Sequence, residues 1–249
     1  MIPPTSIDGT DITGATIDGT DVQEITVDGD VVFSGIDMPQ PDVGHFRADS
    51  LSLSNGQSVT TWTDESTQNN DVTVSGGNPI FETNSLNGLP GVDMNGGDFQ
   101  SVNSINTSQP LVGYVVWKYA GINNTEVIVD GRDDFRVQLS MRNSTTMRIA
   151  AGPSVDFAIP NITNQPVAIK YRADGTNSFV ELNGNTVFSG DANNIGRIGG
   201  YTLGDLNDLR GGIFQSFSTM YELAEFQNPS AQVQADAEAH LSTKWGVTF

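Results

Sequence analysis

Apolar and polar residues alternate along most of this chain, and every few residues Gly, Asn, Asp or Pro interrupts the alternation. Val59, Thr61 and Thr63 share one side of a two-residue period with Trp62 opposite, which predicts a strand. A turn at Asn55-Gly56 precedes it. A polar loop from Asp64 to Asp71, a strand bounded by Pro79 and the run Leu89-Pro90-Gly91-Val92 follow it. Leu111 to Ala120 (LVGYVVWKYA) is apolar almost throughout, which places it in the middle of a sheet. Val127 to Val129 and Phe135 to Leu139 flank the turn Asp130-Gly131-Arg132-Asp133, and Val167 to Tyr171 alternates again. Phe179 to Leu182 and Val187-Phe188 flank Asn183-Gly184, a hairpin signal. Ile195 to Tyr201 and Ile213 to Phe226 complete the expected strands. Only Pro229 to Lys244 reads as a helix, with Ser230 as N-cap, Val233, Ala237 and Leu241 at four-residue spacing and Gly246 near the end. Trp245 is expected to plug that helix onto the sheets. Trp62, Val92, Val115, Trp117, Ile169, Phe179, Phe214 and Trp245 are the expected core anchors.

The first 36 residues have a different texture. Ile7-Asp8-Gly9-Thr10-Asp11, Ile17-Asp18-Gly19-Thr20-Asp21 and Val27-Asp28-Gly29-Asp30 recur at ten-residue spacing, each an Asp-Gly turn beside β-branched residues. Isolated hairpins are marginal in water, so this array needs a partner surface. Ile7, Ile17, Ile25, Val27, Val31 and Phe33 are the residues expected to supply it by oligomerisation. The chain then divides into an arm (1–36), a linker containing Pro39 and Pro41 (37–44) and one all-β domain (45–249). An extra sheet added to that same domain is the alternative reading of the arm.

Charge changes the picture most. Thirty acidic residues face eleven basic ones, of which only Lys118, Lys170 and Lys244 are lysines, giving a formal charge of −19. Such a surface repels a nucleic-acid backbone. Self-repulsion of this size fits a halophilic source, because molar salt screens it, or alternatively an acidic extracellular protein with Asp-rich turns. No apolar run is long enough to span a bilayer, so no membrane insertion is expected. Met1-Ile2-Pro3-Pro4 opens no secretory signal pattern. Cysteine is absent, which leaves the redox compartment undecided.

The series Phe46, Ala48-Asp49, Val59, Trp62-Thr63-Asp64, Ser66, Pro79, Leu86, Gly88, Pro90 and Val92 resembles the opening half of bacterial and viral laminin-G-like domains of the concanavalin A-like lectin/glucanase superfamily. Gly211-Gly212-Ile213, Glu222 to Phe226, and Ala231 through Ala237 to Leu241 and Lys244 to Val247 are similar to that family's closing strand and helix. The resemblance implies an all-β fold: a two-sheet jelly-roll (concanavalin A-like) sandwich with one C-terminal helix, here carrying an N-terminal β-hairpin arm. The segment ITGATIDGTDVQEITVDGDVVF resembles arms of tailed-virus structural proteins.

Candidate chemistry is mostly absent. Glucan-cutting relatives carry carboxylates at alternate positions of one strand. Here Glu222 and Glu225 are three apart and face opposite sides. His45 and His240 lack a matched ligand series and read as structural. No nucleophile elbow, Walker loop or dinucleotide fingerprint occurs, so no enzymatic activity is expected. Binding candidates are Asp130, Arg132, Asp133 and Asp134 in one loop and Asp205, Asn207 and Asp208 in another, with Tyr201 as an aromatic platform. Their oxygens are of the type Ca²⁺ prefers, although such clusters also arise as solvated turns in an Asp-rich chain. The expected function is a virion surface structural protein with a lectin-like head, a trimer or pentamer meeting other virion proteins and host glycans. The alternative is a cellular or secreted, non-catalytic carbohydrate-binding or adhesion module.

Overall fold

A computed structural model describes residues 37–121, 125–132, 137–198, 200–206 and 216–249, plus short strand segments between residues 6 and 34. Among the described residues two antiparallel sheets of eight strands each form an all-β sandwich, and one helix, Ala231–Trp245, covers the first sheet from outside. The first sheet runs in the order Ile80–Leu86, Leu89–Asp93, Thr219–Gln227, Leu111–Lys118, Pro166–Ala173, Ser178–Leu182, Asn185–Gly190. Gly44–Arg47 pairs with the Thr219–Gln227 strand beyond the point where Leu89–Asp93 leaves it. The second sheet runs Ser154–Ala158, Thr146–Ala150, Gln138–Asn143, Glu126–Gly131, Tyr201–Leu203, Asp98–Ser101, Val72–Gly76, Thr61–Trp62.

Period-two alternation sends one face of each sheet into the space between them. Phe46, Trp62, Phe99, Val115, Trp117, Leu139, Ile149, Ile169, Tyr171, Tyr201 and Leu223 fill that core. A second apolar layer lies between the first sheet and the helix, where Val112, Tyr114, Val116, Tyr221, Ala224 and Phe226 meet Ala237, Leu241 and Trp245. This explains why Leu111–Lys118 is apolar on both faces: it lies between two cores. Burying each large side chain is worth roughly 1.5–3 kcal/mol, and Trp245, fully buried, fastens the helix as expected. Ser230 caps the helix by accepting the Val233 N–H, and Gly246 ends it at φ 65°.

One irregularity decides which residues face which core. Val116 pairs with Glu222 but Trp117 pairs with Met220, so Tyr221 is an extra residue, a β-bulge. Tyr221 and Glu222 therefore both face the helix, while Met220 and Leu223 on either side point between the sheets.

Several expectations need correction. Phe179 is half-buried on the outward side of its strand, with the Lys170 ammonium over its ring, because Ser178, Val180 and Leu182 take the inward positions. Phe214 lies outside the described residues. The expected strand Ile195 to Tyr201 is two pieces, Arg197–Ile198 and Tyr201–Leu203, broken at Gly200. Gly200 has φ 107°, and a Cβ there would lie 1.9 Å from Ser101 Oγ. Thr146–Ala150 and Ser154–Ala158 are strands the sequence pattern did not single out. Pro41 and Val43, expected in a linker, are buried against the sandwich, where Val43 N–H donates to Glu225 O. In the N-terminal segment the register pairs Ile7 with Thr10, Ile17 with Thr20 and Val27 with Asp30, with Ile25 opposite Phe33. Each ten-residue repeat is thus a two-stranded hairpin of its own, and the Asp-Gly residues inside the turns lie outside the described residues.

Candidate binding face on the second sheet

The two buried glutamates of the closing strand are structural. Glu222 sits under the helix, where His45 Nε2, Lys244 Nζ and Trp245 Nε1 lie 2.7–2.8 Å from its oxygens. Burial alone would raise its pKa, but the His45 bond and the Lys244 charge win and hold the carboxyl at about 2. Glu225 faces the other way, into the core between the sheets, and meets the hydroxyls of Tyr171 and Tyr201. Its register neighbours on both sides are glycines, Gly44 and Gly113. Those glycines leave the room in which the tyrosine rings lie, since a Cβ would come within 2.2 Å of Tyr201 at Gly44 and 2.3 Å of Tyr171 at Gly113. Desolvation, with the nearby Asp64 charge, pushes the Glu225 carboxyl well above the usual carboxylate range. Asp64 itself accepts from His45 N–H, from both donors of Ser66 and from Asn70 N–H, and so ties the polar loop to the opening strand. Neither glutamate is exposed, and no paired-carboxylate site is formed between them.

Tyr201 is therefore no surface platform: its strand turns it inward, where it packs edge-on against Phe46 with ring centroids 5.3 Å apart. The other described candidates lie at or just beyond the ends of two neighbouring strands, Glu126–Gly131 and Tyr201–Leu203. Asp130 and Asp205 are buried, each accepting the N–H of the next residue. Arg132 is half-buried and donates from Nη1 to Ser101 O, which pins it across the strand ends in the middle of the sheet. Asp133, Asp134, Asn207 and Asp208 lie outside the described residues. Among the described residues no three His, Asp or Glu side chains are grouped so as to hold a metal ion.

What the sequence reading missed is the outward face of this sheet. Register places Gln100, Thr202 and Asp130 side by side across three strands, and Gln138 neighbours Asp130 on the next, because Val129 pairs with Leu139. Thr202, Asp130 and Gln138 are 0–2 % exposed. Among the described residues Thr202 Oγ1 and Gln138 Oε1 have no hydrogen-bond partner, as is also true of Asn70 Nδ2, Tyr114 Oη and Glu126 Oε1 elsewhere in the sandwich. Leaving such groups unpaired costs roughly 1–3 kcal/mol each. Gln138 Nε2 donates to Ser140 Oγ, and Ser140 lies beside Arg148 and then Asp156 in register. At that end the face opens to solvent: the Arg148 and Asp156 side chains are 24 % and 43 % exposed and form a two-point ion pair.

A separate depression of about 390 Å³ lies between the loops of Asp174–Asn177 and Asp191–Asn194. Gln109 ties its walls together by donating to Asn193 O and Ile195 O and accepting from Gly175 N–H. It is lined by carboxylates, carboxamides, one hydroxyl and backbone, without a ring face or a cation.

No protein-family model matches the chain, and no curated protein matches its sequence. Solved structures match its fold. Domain 4 of AbnA, a GH43 extracellular arabinanase from Geobacillus stearothermophilus in complex with arabinotriose, aligns with TM-score 0.57 at 17 % identity, over 80 % of this chain and 100 % of that domain. Trypanosoma rangeli sialidase in complex with 2,3-difluorosialic acid aligns with TM-score 0.54 at 12 % identity over 90 % of this chain. The chain spans only 36 % of the sialidase's length. At these identities the likeness is one of fold, a β-sandwich.

Proposed function

We propose that this chain is a non-catalytic carbohydrate-binding module that takes its ligand on the outward face of the second sheet. The observation that carries the reading is the polar outward face of the second sheet, where the enclosed row Thr202–Asp130–Gln138–Ser140 continues in register to the exposed Arg148 and Asp156. At that open end, guanidinium and carboxylate groups at strand spacing present donors and acceptors suited to sugar hydroxyls. The shared architecture with a domain bound to arabinotriose supports the same reading. Glu222 and Glu225 give the enzymatic alternative no support, since they are enclosed on opposite faces of their strand. Ca²⁺ at the Asp130 and Asp205 loops belongs to the proposal, and dialysis against EDTA before titration tests that part. The main test is a glycan array followed by calorimetric titration. Arg148→Ala, at the exposed end of the face, is expected to weaken binding about tenfold while costing little stability, since it breaks only a surface ion pair. Wild-type affinity in that variant would remove this face from consideration.

The virion-surface reading is favoured by a different observation: the N-terminal repeats pair as three separate hairpins, each a two-stranded sheet with its own edges. In that reading the arm 1–36 joins copies of the chain into a trimer or pentamer and the sandwich faces outward. Light scattering on the full chain and on a chain lacking residues 1–36 tests it. A full-length monomer, or an oligomer that survives the deletion, would sink the assembly role.

A further inference from the structure

We infer that the saccharide is an acidic one, and that the side chains of Arg142 and Arg148 receive its carboxylate; the inference rests on the carbohydrate-binding reading above. Both arginines stand on the same outward face as Gln138, because Leu139, Met141, Met147 and Ile149 take the inward positions of the two strands. Gln138 and Ser140 alternate along one strand, and Arg142 follows at a bulge from which it still reaches Asp156 on the outward side. The face thus runs from a neutral, enclosed end to a cationic end open to solvent.

The cationic end already holds a carboxylate. Arg148 grips Asp156 with Nε and Nη2 at 2.5 and 3.0 Å, and Arg142 Nε approaches the same carboxylate at 3.8 Å. Arg142 is steadied by its Nη1, which donates to Thr125 Oγ1 at 2.6 Å, while its buried Nε has no hydrogen-bond partner. Two guanidinium groups therefore share one acid, and one positive charge is left over at an exposed site. In a chain of net charge −19 an anion is repelled almost everywhere else. The planar fork of arginine suits a carboxylate, and the Arg142 side chain, 33 % exposed, is open to a second one. A purely structural ion pair would explain Arg148 with Asp156, but surface pairs contribute little to stability, and one acid does not balance two guanidinium groups.

The test compares matched sugars by calorimetric titration at low salt, against the full chain. One set is digalacturonate and its methyl ester; the other is 3′-sialyllactose, lactose and sulfated lactose. Wild-type protein is expected to prefer a carboxylate-bearing sugar to its neutral partner by about tenfold or more, the two sets distinguishing a uronic from a sialic source. The preference is expected to shrink as salt rises. Arg142→Gln is expected to erase it while neutral binding persists, and Asp156→Asn, which removes the competing acid and no cation, to enlarge it. Equal binding of acidic and neutral sugars, or a preference untouched in Arg142→Gln with native melting, overturns the inference and leaves the module reading standing. An equal gain for sulfated lactose overturns the carboxylate assignment. Binding of none of these sugars, nor of any glycan on the array, overturns both.

Discussion

Glu222 and Glu225 stand three residues apart on one strand and titrate in opposite directions. Glu222, under the helix and bonded to His45 and Lys244, is held at about 2. Glu225, enclosed between the sheets with two tyrosine hydroxyls, is pushed well upward. The same residue type, equally buried, is driven toward the ionised form on one face of the sheet and toward the protonated form on the other, because His45 and Lys244 stand beside Glu222 and burial beside a second acid acts on Glu225.

The Glu222 side has an acid limb. Its carboxyl titrates near 4.5 unfolded and near 2 folded, so its stabilisation is complete above 4.5 and is lost as pH falls toward 2. Glu222→Gln is expected to cost about 3–5 kcal/mol at neutral pH, since it leaves Lys244 and the Trp245 N–H with a weaker partner under the helix. Urea denaturation at pH 7 and pH 3 checks this: the variant's deficit should be smaller at pH 3. A deficit independent of pH would show that Glu222 is not ionised.

The Glu225 side runs the other way. Above the unfolded value of 4.5 the folded chain keeps a proton that the unfolded chain releases, so stability falls as pH rises from 4.5 through the raised folded pKa. Glu225→Gln is expected to cost no more than about 1.5 kcal/mol and to flatten that decline. Glu225→Ala, which strands the two tyrosine hydroxyls over a cavity, should cost about 3 kcal/mol or more. Melting curves between pH 5 and 8 separate the three proteins. Parallel pH dependence in wild type and Glu225→Gln would refute the neutral-acid assignment.

Gly113 is expected to resist even alanine. Its added methyl would meet the Tyr171 ring at 2.3 Å, and displacing that ring also breaks the Tyr171–Glu225 contact. A loss of roughly 1–3 kcal/mol is expected from the crowding. Combining Gly113→Ala with Tyr171→Phe should cost less than the sum of the single changes, a coupling that denaturant titration of all four proteins measures.

The net charge of −19 makes a salt prediction. If self-repulsion limits stability, the melting temperature rises between about 0.1 M and about 2 M KCl as the screening length shortens. An unchanged or lower midpoint would favour an ordinary acidic protein.

The sandwich, the capped helix and the opposition of Glu222 to Glu225 could be read in the sequence because each rests on periodicity, which is a local property. Tyr201 could not be placed, since a three-residue strand after a glycine break has no pattern from which to read its inward side. The line from Ser140 to Asp156 escaped notice for a related reason: Arg148 and Asp156 occupy the outward positions of short strands and read as loop residues. That Gln138 Oε1 and Thr202 Oγ1 lack partners among the described residues is a fact about three dimensions, visible only when neighbouring strands are in register. The room made for two tyrosines by Gly44 and Gly113 is likewise invisible until both are seen flanking Glu225.

The bulge at Tyr221 acts as a phase shift within the closing strand. Upstream of it Met220 is in step with one lining of the core; downstream, Leu223 is in step again, with one residue more than a regular strand would hold. A slip of one residue would exchange the faces of the two glutamates. Leu223 and Ala224 would tolerate such an exchange, both being apolar, but the acids would not: the ion would enter a space without cations and the neutral acid would face an unpaired lysine. Charge thus proofreads a register that hydrophobicity alone would leave loosely specified.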